Sequence, residues 1–345
     1  MSSSPRALRQ LVALVGAALL LAACGSSGAT ENSKAATAGQ DPLVAAAKRE
    51  GSVTWYSSIP QAPMDELSKA FEAKYGVKVD IVRGLTGALT QRLSAEQQAG
   101  RPAADVINLA DPIAFGDMTK KGWLVPLKSA DVPGFSAWPE KYVIDGDRIV
   151  SGIQGVAVAF NTNKVKRSDL KNWNSLLDPK YKKQIIMADP KVVPNWLALM
   201  AILRDKVNPD YLTRLAAQEP TLVDSAVPGA QQLAAGEAAI QFPTTVGVVQ
   251  PLKDQGAPID TVFLSPTTGV EQYSALIKGG PHPNAAKLLM SFIMSKDGQV
   301  LLNKGTAASV LPDVPGTLPL PKNYVAPDIL GANQHKAEIL KALGE

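Results

Sequence analysis

The chain has 345 residues, 46% of them hydrophobic and 19% charged, a balance that fits a folded globular protein and excludes a disordered or fibrous one. The formal net charge is +4, about +2 once Arg6 and Arg9 are set aside, and no basic stripe is interleaved with aromatics, so a nucleic-acid-binding protein is excluded. One cysteine and two well-separated histidines, His282 and His335, exclude a disulfide framework, a cysteine metal cage and a His-x-x-x-His zinc site.

Arg6 and Arg9 precede an almost unbroken apolar run from Leu11 to Ala23. A basic start, a short apolar stretch and small residues before a cut make residues 1–23 a secretory signal. The run is shorter than the ~20 residues that a membrane-spanning helix needs. Leu21-Ala22-Ala23-Cys24 resembles a bacterial lipobox. That resemblance implies lipidation of the Cys24 sulfur, cleavage before it and acylation (palmitate-type) of the new amino group. The chain is then expected to be extracytoplasmic and lipid-anchored to the cell membrane. Residues 24–41 are rich in Ser, Ala, Gly and Thr and read as a disordered tether.

Asp41-Pro42 opens a helix that Gly51 stops. A strand follows over 52–58, a helix from Met64 to Tyr75, a strand over 77–82 and a helix from Leu89 to Gly100. Residues 104–109 form a third strand ending in Ala110-Asp111-Pro112, and Ala114 to Lys121 a helix. Three strand–loop–helix units in succession predict a parallel, doubly wound α/β sheet. Ligands of such sheets bind beyond the carboxyl ends of the strands, so the loops at 57–63, 83–87 and 110–113 should converge on one rim. Further on, 149–160, 184–187, 238–242, 260–264 and 272–277 read as strands. Residues 168–177, 196–205, 226–235, 284–294, 297–303 and 333–343 read as helices, with a proline-rich tail from Leu311 to Tyr324. Glycine-bearing strands near 150–158 and 262–270 read as crossovers between two lobes. A hydrolase is disfavoured because there is no Gly-x-Ser-x-Gly elbow and His282 sits in a Gly-Gly-Pro-His-Pro turn.

Gly51-Ser52-Val53-Thr54-Trp55-Tyr56-Ser57, Pro102-Ala103-Ala104-Asp105-Val106, Gly122-Trp123-Leu124-Val125-Pro126-Leu127, Val158-Ala159-Phe160-Asn161-Thr162 and Trp173 to Tyr181 follow one another in an informative order. Together they resemble the extracellular solute-binding lipoproteins of bacterial ABC transporters, in the ferric-iron-type branch of the type II periplasmic binding proteins. The resemblance covers essentially the whole mature chain. It implies a two-lobed α/β fold with a ligand cleft, closing at a hinge, with no catalysis and no cofactor. It implies a small-molecule ligand, an ABC permease with its ATPase as partner, and a monomer. The expected lobes are 42–150 plus 270–310 and 151–269, with 311–345 as a tail and helix packing on them.

Ferric binders of this branch use adjacent tyrosines as phenolate ligands, after a Gly-Glu turn and a short strand. The matching stretch here, Gln241 to Val249 after Gly236-Glu237, holds Pro243, Thr244 and Thr245 and no tyrosine. The first-lobe acid of some relatives aligns near Ala110, beside Asp111, and serines occupy 57–58 where some relatives have histidine. Bare Fe(III) is therefore not expected, and no metal site is assigned. The rim offers Tyr56, Ser57, Ser58, Thr86, Gly87, Thr244, Thr245 and Thr267, with Asn195 and Trp196 at a helix start. Hydroxyls and helix-start amides suit a small organic anion or zwitterion, such as a phosphonate or phosphate ester, and Arg83 could add a bidentate clamp. The competing readings are a ferric binder with non-tyrosine ligands or an iron chelate, and a polyamine- or thiamine-type cation held by Asp111 and Asp189 against an aromatic wall.

Overall fold

The computed structural model describes residues 41–345; the signal expected at 1–23, Cys24 and the tether expected up to residue 40 lie outside the described residues. Asp41 accepts a hydrogen bond from the Leu43 amide at 2.9 Å and Pro42 occupies the first helical position, which starts α1 (Pro42–Glu50). Then come β1 (Ser52–Ser57), α2 (Gln61–Tyr75), β2 (Lys78–Arg83), α3 (Thr86–Gln98), β3 (Val106–Leu109) and α4 (Pro112–Lys120). The two-residue β4 (Val143–Ile144) leads to the long β5 (Arg148–Asn161). The second part runs β6 (Ile185–Ala188), α5 (Pro194–Lys206), α6 (Tyr211–Ala216), β7 (Thr221–Val223), α7 (Ala226–Ala234), β8 (Ile240–Thr245), α8 (Val246–Asp254) and β9 (Ile259–Val262). The chain closes with β10 (Gly269–Leu276), α9 (Pro283–Met294), α10 (Lys296–Asn303), α11 (Ile329–Gln334) and α12 (Lys336–Ala342).

The expected helix at 168–177 is instead two short 3-10 turns, Arg167–Asp169 and Trp173–Leu177. Asn172 and Ser175 cap each other at the start of the second turn and break the path between them. The terminal helix starts four residues earlier than expected and is interrupted at His335.

One mixed sheet carries the order β2-β1-β3-β10-β5-β8-β6-β7; the three strand–loop–helix units give the parallel strands expected of them, and the sheet is mixed because the later strands β5 and β10 run against them. The pairs β1–β2, β1–β3, β6–β7 and β6–β8 are parallel, but β10 runs antiparallel to β3 and β5, and β5 antiparallel to β8. The antiparallel strands are the crossovers. Two cores flank them. Trp55, Phe71, Phe115, Ile149, Ile153, Tyr273 and Phe292 fill the first. Val156, Phe160, Trp173, Trp196, Tyr211, Phe242 and Leu264 fill the second, joined by Ile329, Ala332, Ile339 and Leu343 from α11 and α12. The chain therefore passes between cores along β5, again along β10, and a third time between Val310 and Ile329. Gly155 lets that third passage lie on the crossover, since a Cβ there would stand 2.7 Å from Pro321 Cγ.

A buried polar seam fixes the register of the first core. The Asn108 amide donates to Ser151 Oγ at 3.0 Å and Ser274 Oγ at 2.8 Å, while Ser57 Oγ donates to Asn108 Oδ1 at 3.3 Å. Each bond joins a different strand, and a one-residue slip would break all three.

At the edge of the second core, Asp260 accepts from Lys253 Nζ and an Arg167 guanidinium nitrogen, both at 2.8 Å, and from the Thr261 amide. Burial by itself raises its pKa, but these donors outweigh it and hold the carboxyl at about 2. A depressed carboxyl contributes stability above its ordinary value of about 3.9, and that contribution is lost as pH falls towards 2. Its cationic partners stand largely in water, so the contribution is about 1 kcal/mol. Urea midpoints of Asp260→Asn and the parent should differ accordingly at pH 7 and converge near pH 2.

Among the described residues, no helix is long and apolar enough to cross a membrane.

Candidate functional site

A cavity of about 280 Å³ opens beyond the carboxyl ends of the strands and takes its walls from both lobes. Thr86 and Gly87 start α3, Asp111-Pro112-Ile113 start α4, and Val193-Pro194-Asn195 start α5. Ala110, Val270 of the crossover strand β10 and Ile329 of α11 complete it. Four helix N-termini thus border one space, those of α3, α4, α5 and the short α11, whose start is capped by Asp328.

They are not equivalent. In α4 the Asp111 carboxylate Oδ1 accepts from the Ile113 and Ala114 amides, both at 3.0 Å, so that helix start is sealed by its own residue. In α3 the capping position is Leu85, which offers no side-chain cap, and the amides of Thr86, Gly87 and Ala88 have no acceptor among the described residues. In α5 the capping position is Val193, Pro194 has no amide hydrogen, and the Asn195 amide likewise has no acceptor. Unsatisfied first-turn amides are an anion seat. The remaining wall is aliphatic, and Asp111 is the sole charged residue lining the cavity.

Of the twelve residues expected at the rim, Thr86, Gly87, Asp111 and Asn195 come together here. The other eight lie outside this lining. Tyr56 is buried in the first core because β1 is covered on both faces; its phenol donates to Glu96 at 2.7 Å and its ring carries the Arg92 guanidinium at 4.9 Å. Ser57 belongs to the Asn108 seam, and the Ser58 amide bonds to the Asn108 carbonyl. Arg83 lies outside this lining, and its Nε donates to the Ile59 carbonyl at 3.0 Å. Trp196 turns into the second core. Thr244 and Thr245 are buried at the end of β8, and Thr267 Oγ1 donates to the Val156 carbonyl at 2.9 Å, holding the crossover together.

Pro112 and Ile113 fall in the 110–113 loop expected at the rim, though not named singly; Val193, Pro194, Val270 and Ile329 were missed. A proline at the first position of a helix in each lobe was a readable signal. Nothing local marks Ile329, which arrives by the third passage between lobes.

The described residues hold no group of three or more His, Cys, Asp or Glu suited to a metal ion. Tyrosine and acid do meet at the crossover, where Tyr273 and Tyr324 donate to the two oxygens of Glu271 at 2.7 and 2.6 Å. Burial, reinforced by the Glu271 carboxylate, pushes both phenols well above their ordinary range, so they serve as O–H donors and not as phenolates.

The family described as bacterial extracellular solute-binding protein matches this chain over residues 53–305. An uncharacterized protein of Haemophilus influenzae is 28% identical over 271 residues, 74% of this chain and 76% of that one. The periplasmic binding protein AfuA from Actinobacillus pleuropneumoniae, solved with exogenous fructose-6-phosphate bound, is 25% identical with a TM-score of 0.63, covering 86% of this chain and 98% of AfuA. Iron-bound HitA from Pseudomonas aeruginosa shares the fold at a TM-score of 0.68 and 19% identity, covering 85% of this chain and 99% of HitA.

Proposed function

The chain belongs to the bacterial extracellular solute-binding proteins, and from that premise we propose that it is the binding component of an ABC importer that captures a small organic anion or zwitterion. The observation that carries the ligand reading is the cavity itself: two unsealed helix starts, an aliphatic wall, one carboxylate and no tyrosine. A bare Fe(III) ion would find a single hard ligand there, and that ligand already caps a helix. The organic phosphate held by AfuA supports the same reading. Binding biases the two lobes towards closure, and the closed form is what the permease receives.

The test uses the mature chain in a thermal-shift and calorimetric screen of fructose 6-phosphate, alkylphosphonates, citrate, Fe(III), Fe(III)-citrate and putrescine. An organic anion should raise the melting temperature, since a ligand bound only by the folded state stabilises it. A tyrosinate-to-metal charge-transfer band at one equivalent of Fe(III) would overturn the reading. Gly87→Asp locates the site. A Cβ at Gly87 meets nothing within 4 Å, so the fold tolerates it, and an acid in the first turn favours the helix. The new carboxylate occupies the anion seat, and binding should fall at least about 100-fold.

We further assign Cys24 as the lipid attachment that holds the receptor near its permease, which raises their effective concentration. Cys24→Ser should move the chain from the membrane fraction to the soluble extracytoplasmic fraction in a cell fractionation. Retention in the membrane would refute the anchor.

A further inference from the structure

The cavity offers free backbone donors at the α3 and α5 starts and side-chain acceptors on Asp111 and Asn195. Asn195 is 6% exposed, and its Nδ2 donates to the Gly269 carbonyl at 3.1 Å. That bond fixes the amide orientation: the NH2 group faces the crossover strand, so Oδ1 is turned away from it, and no described residue donates to Oδ1. Asp111 spends Oδ1 on the α4 amides and leaves Oδ2 without a protein donor. Two carboxyl or amide oxygens of cavity-lining residues therefore lack a donor among the described residues, while three α3 amides and the single Asn195 amide lack an acceptor, so the larger cluster of free donors is at α3. A group that only accepts satisfies the α3 end and is repelled by Asp111; a group that only donates does the reverse.

We propose that the solute of this cavity is two-ended: an anionic group seated on the first-turn amides of α3, and a hydrogen-bond donor, hydroxyl or ammonium, held by Asp111 Oδ2 and Asn195 Oδ1. Asp111 is then the residue that sets specificity, and Asn195 positions the donor from the opposite lobe. Ile113, Val193 and Ile329 cover the carbon skeleton between the two ends. A solute gripped at both ends also spans residues of both lobes, which is what a closure-driving ligand must do. The inference rests on the reading of this cavity as the solute site.

Four probes in two matched pairs test it by calorimetry: glycerol 3-phosphate against propyl phosphate, and 2-aminoethylphosphonate against ethylphosphonate. In at least one pair the donor-bearing member should bind at least about 10-fold tighter, the worth of a hydrogen bond to a charged group. Asp111→Asn is the discriminating variant. Asparagine still caps α4 but presents NH2 where Oδ2 stood. It should abolish the preference for ammonium, which can only donate, and weaken the preference for hydroxyl, which can also accept, so the two pairs separate the two kinds of donor. A circular-dichroism melt within a few degrees of the parent shows that the variant is folded. Equal affinity within both pairs, unchanged by Asp111→Asn but lost in Gly87→Asp, overturns the two-ended solute while leaving the cavity as the site. Binding that survives Gly87→Asp, or silence from all four probes, overturns the site and the inference with it.

Discussion

Gly269→Ala is expected to destabilise the folded chain by about 2–3 kcal/mol, the usual range for forcing extra atoms into a packed crossing. Gly269 lies opposite Gly155 where β10 and β5 pass between the lobes. A Cβ on Gly269 would stand 2.7 Å from Ile153 Cγ2, 3.0 Å from the Gln154 carbonyl oxygen and 3.2 Å from the Tyr324 ring. The Ile153 methyl can yield; the carbonyl belongs to the paired strand and cannot. The strand must therefore shift, and the Gly269 carbonyl is the acceptor that orients Asn195. Solute affinity should fall together with stability. Urea titration and calorimetry of the same sample check both, with Gly116→Ala as the control, because a Cβ there meets open space outside the cavity lining. A stability loss below about 0.5 kcal/mol, the scatter of ordinary surface changes, would refute the argument.

The fold was legible where local chemistry repeats. Asp41-Pro42 and Asp111-Pro112 do start helices, and Gly51 and Gly76 do end them. Strand direction was legible where a helix follows each strand, as in β1, β2 and β3, which are parallel; it was not legible for the crossovers β5 and β10, because a period of two is the same for parallel and antiparallel neighbours. Helix α8 was missed because Val246, Val248 and Val249 crowd apolar residues at its start and Pro251 sits inside it, which reads as an interrupted strand. At the candidate site, helix-start logic named Asp111 and Asn195, far apart in sequence, and both line the one cavity. Thr244, Thr245 and Thr267 lie outside the cavity lining; for Thr267 the reason is visible, since a hydroxyl at a strand end is as useful to the crossover as to a ligand, and it bonds the Val156 carbonyl. Tyr56 shows the limit from the other side. Strand-end position suggested the rim, but the Glu96 acceptor that draws its phenol inward lies 40 residues away and carries no local mark.

Glu271→Leu should cost about 3 kcal/mol, from two buried phenols each deprived of an acceptor worth roughly 1–2 kcal/mol. Glu271 is 6% exposed, and both its oxygens are used, by Tyr273 on its own strand and by Tyr324 on the third passage between lobes. Tyr324 also lays its ring against Gly269, and the following Val325 amide bonds to the Thr267 carbonyl at 2.8 Å. Tyr324→Phe keeps that ring and removes one donor, so it should cost about half as much. The pH dependence separates this account from simple loss of packing. Both phenols titrate above their ordinary value in the folded chain, first through burial and then through Glu271. Their contribution is therefore complete below pH of about 10 and is lost as pH rises beyond it, because the unfolded chain releases those protons first. Tyr324→Phe removes one such proton, so above pH 10 its stability should fall less steeply with pH than that of the parent. The two curves should then approach each other on the alkaline side while staying parallel between pH 6 and 9. Parallel curves throughout would mean that the phenol proton of Tyr324 contributes nothing at the crossing, and that the tail is held to the hinge by its ring and backbone alone.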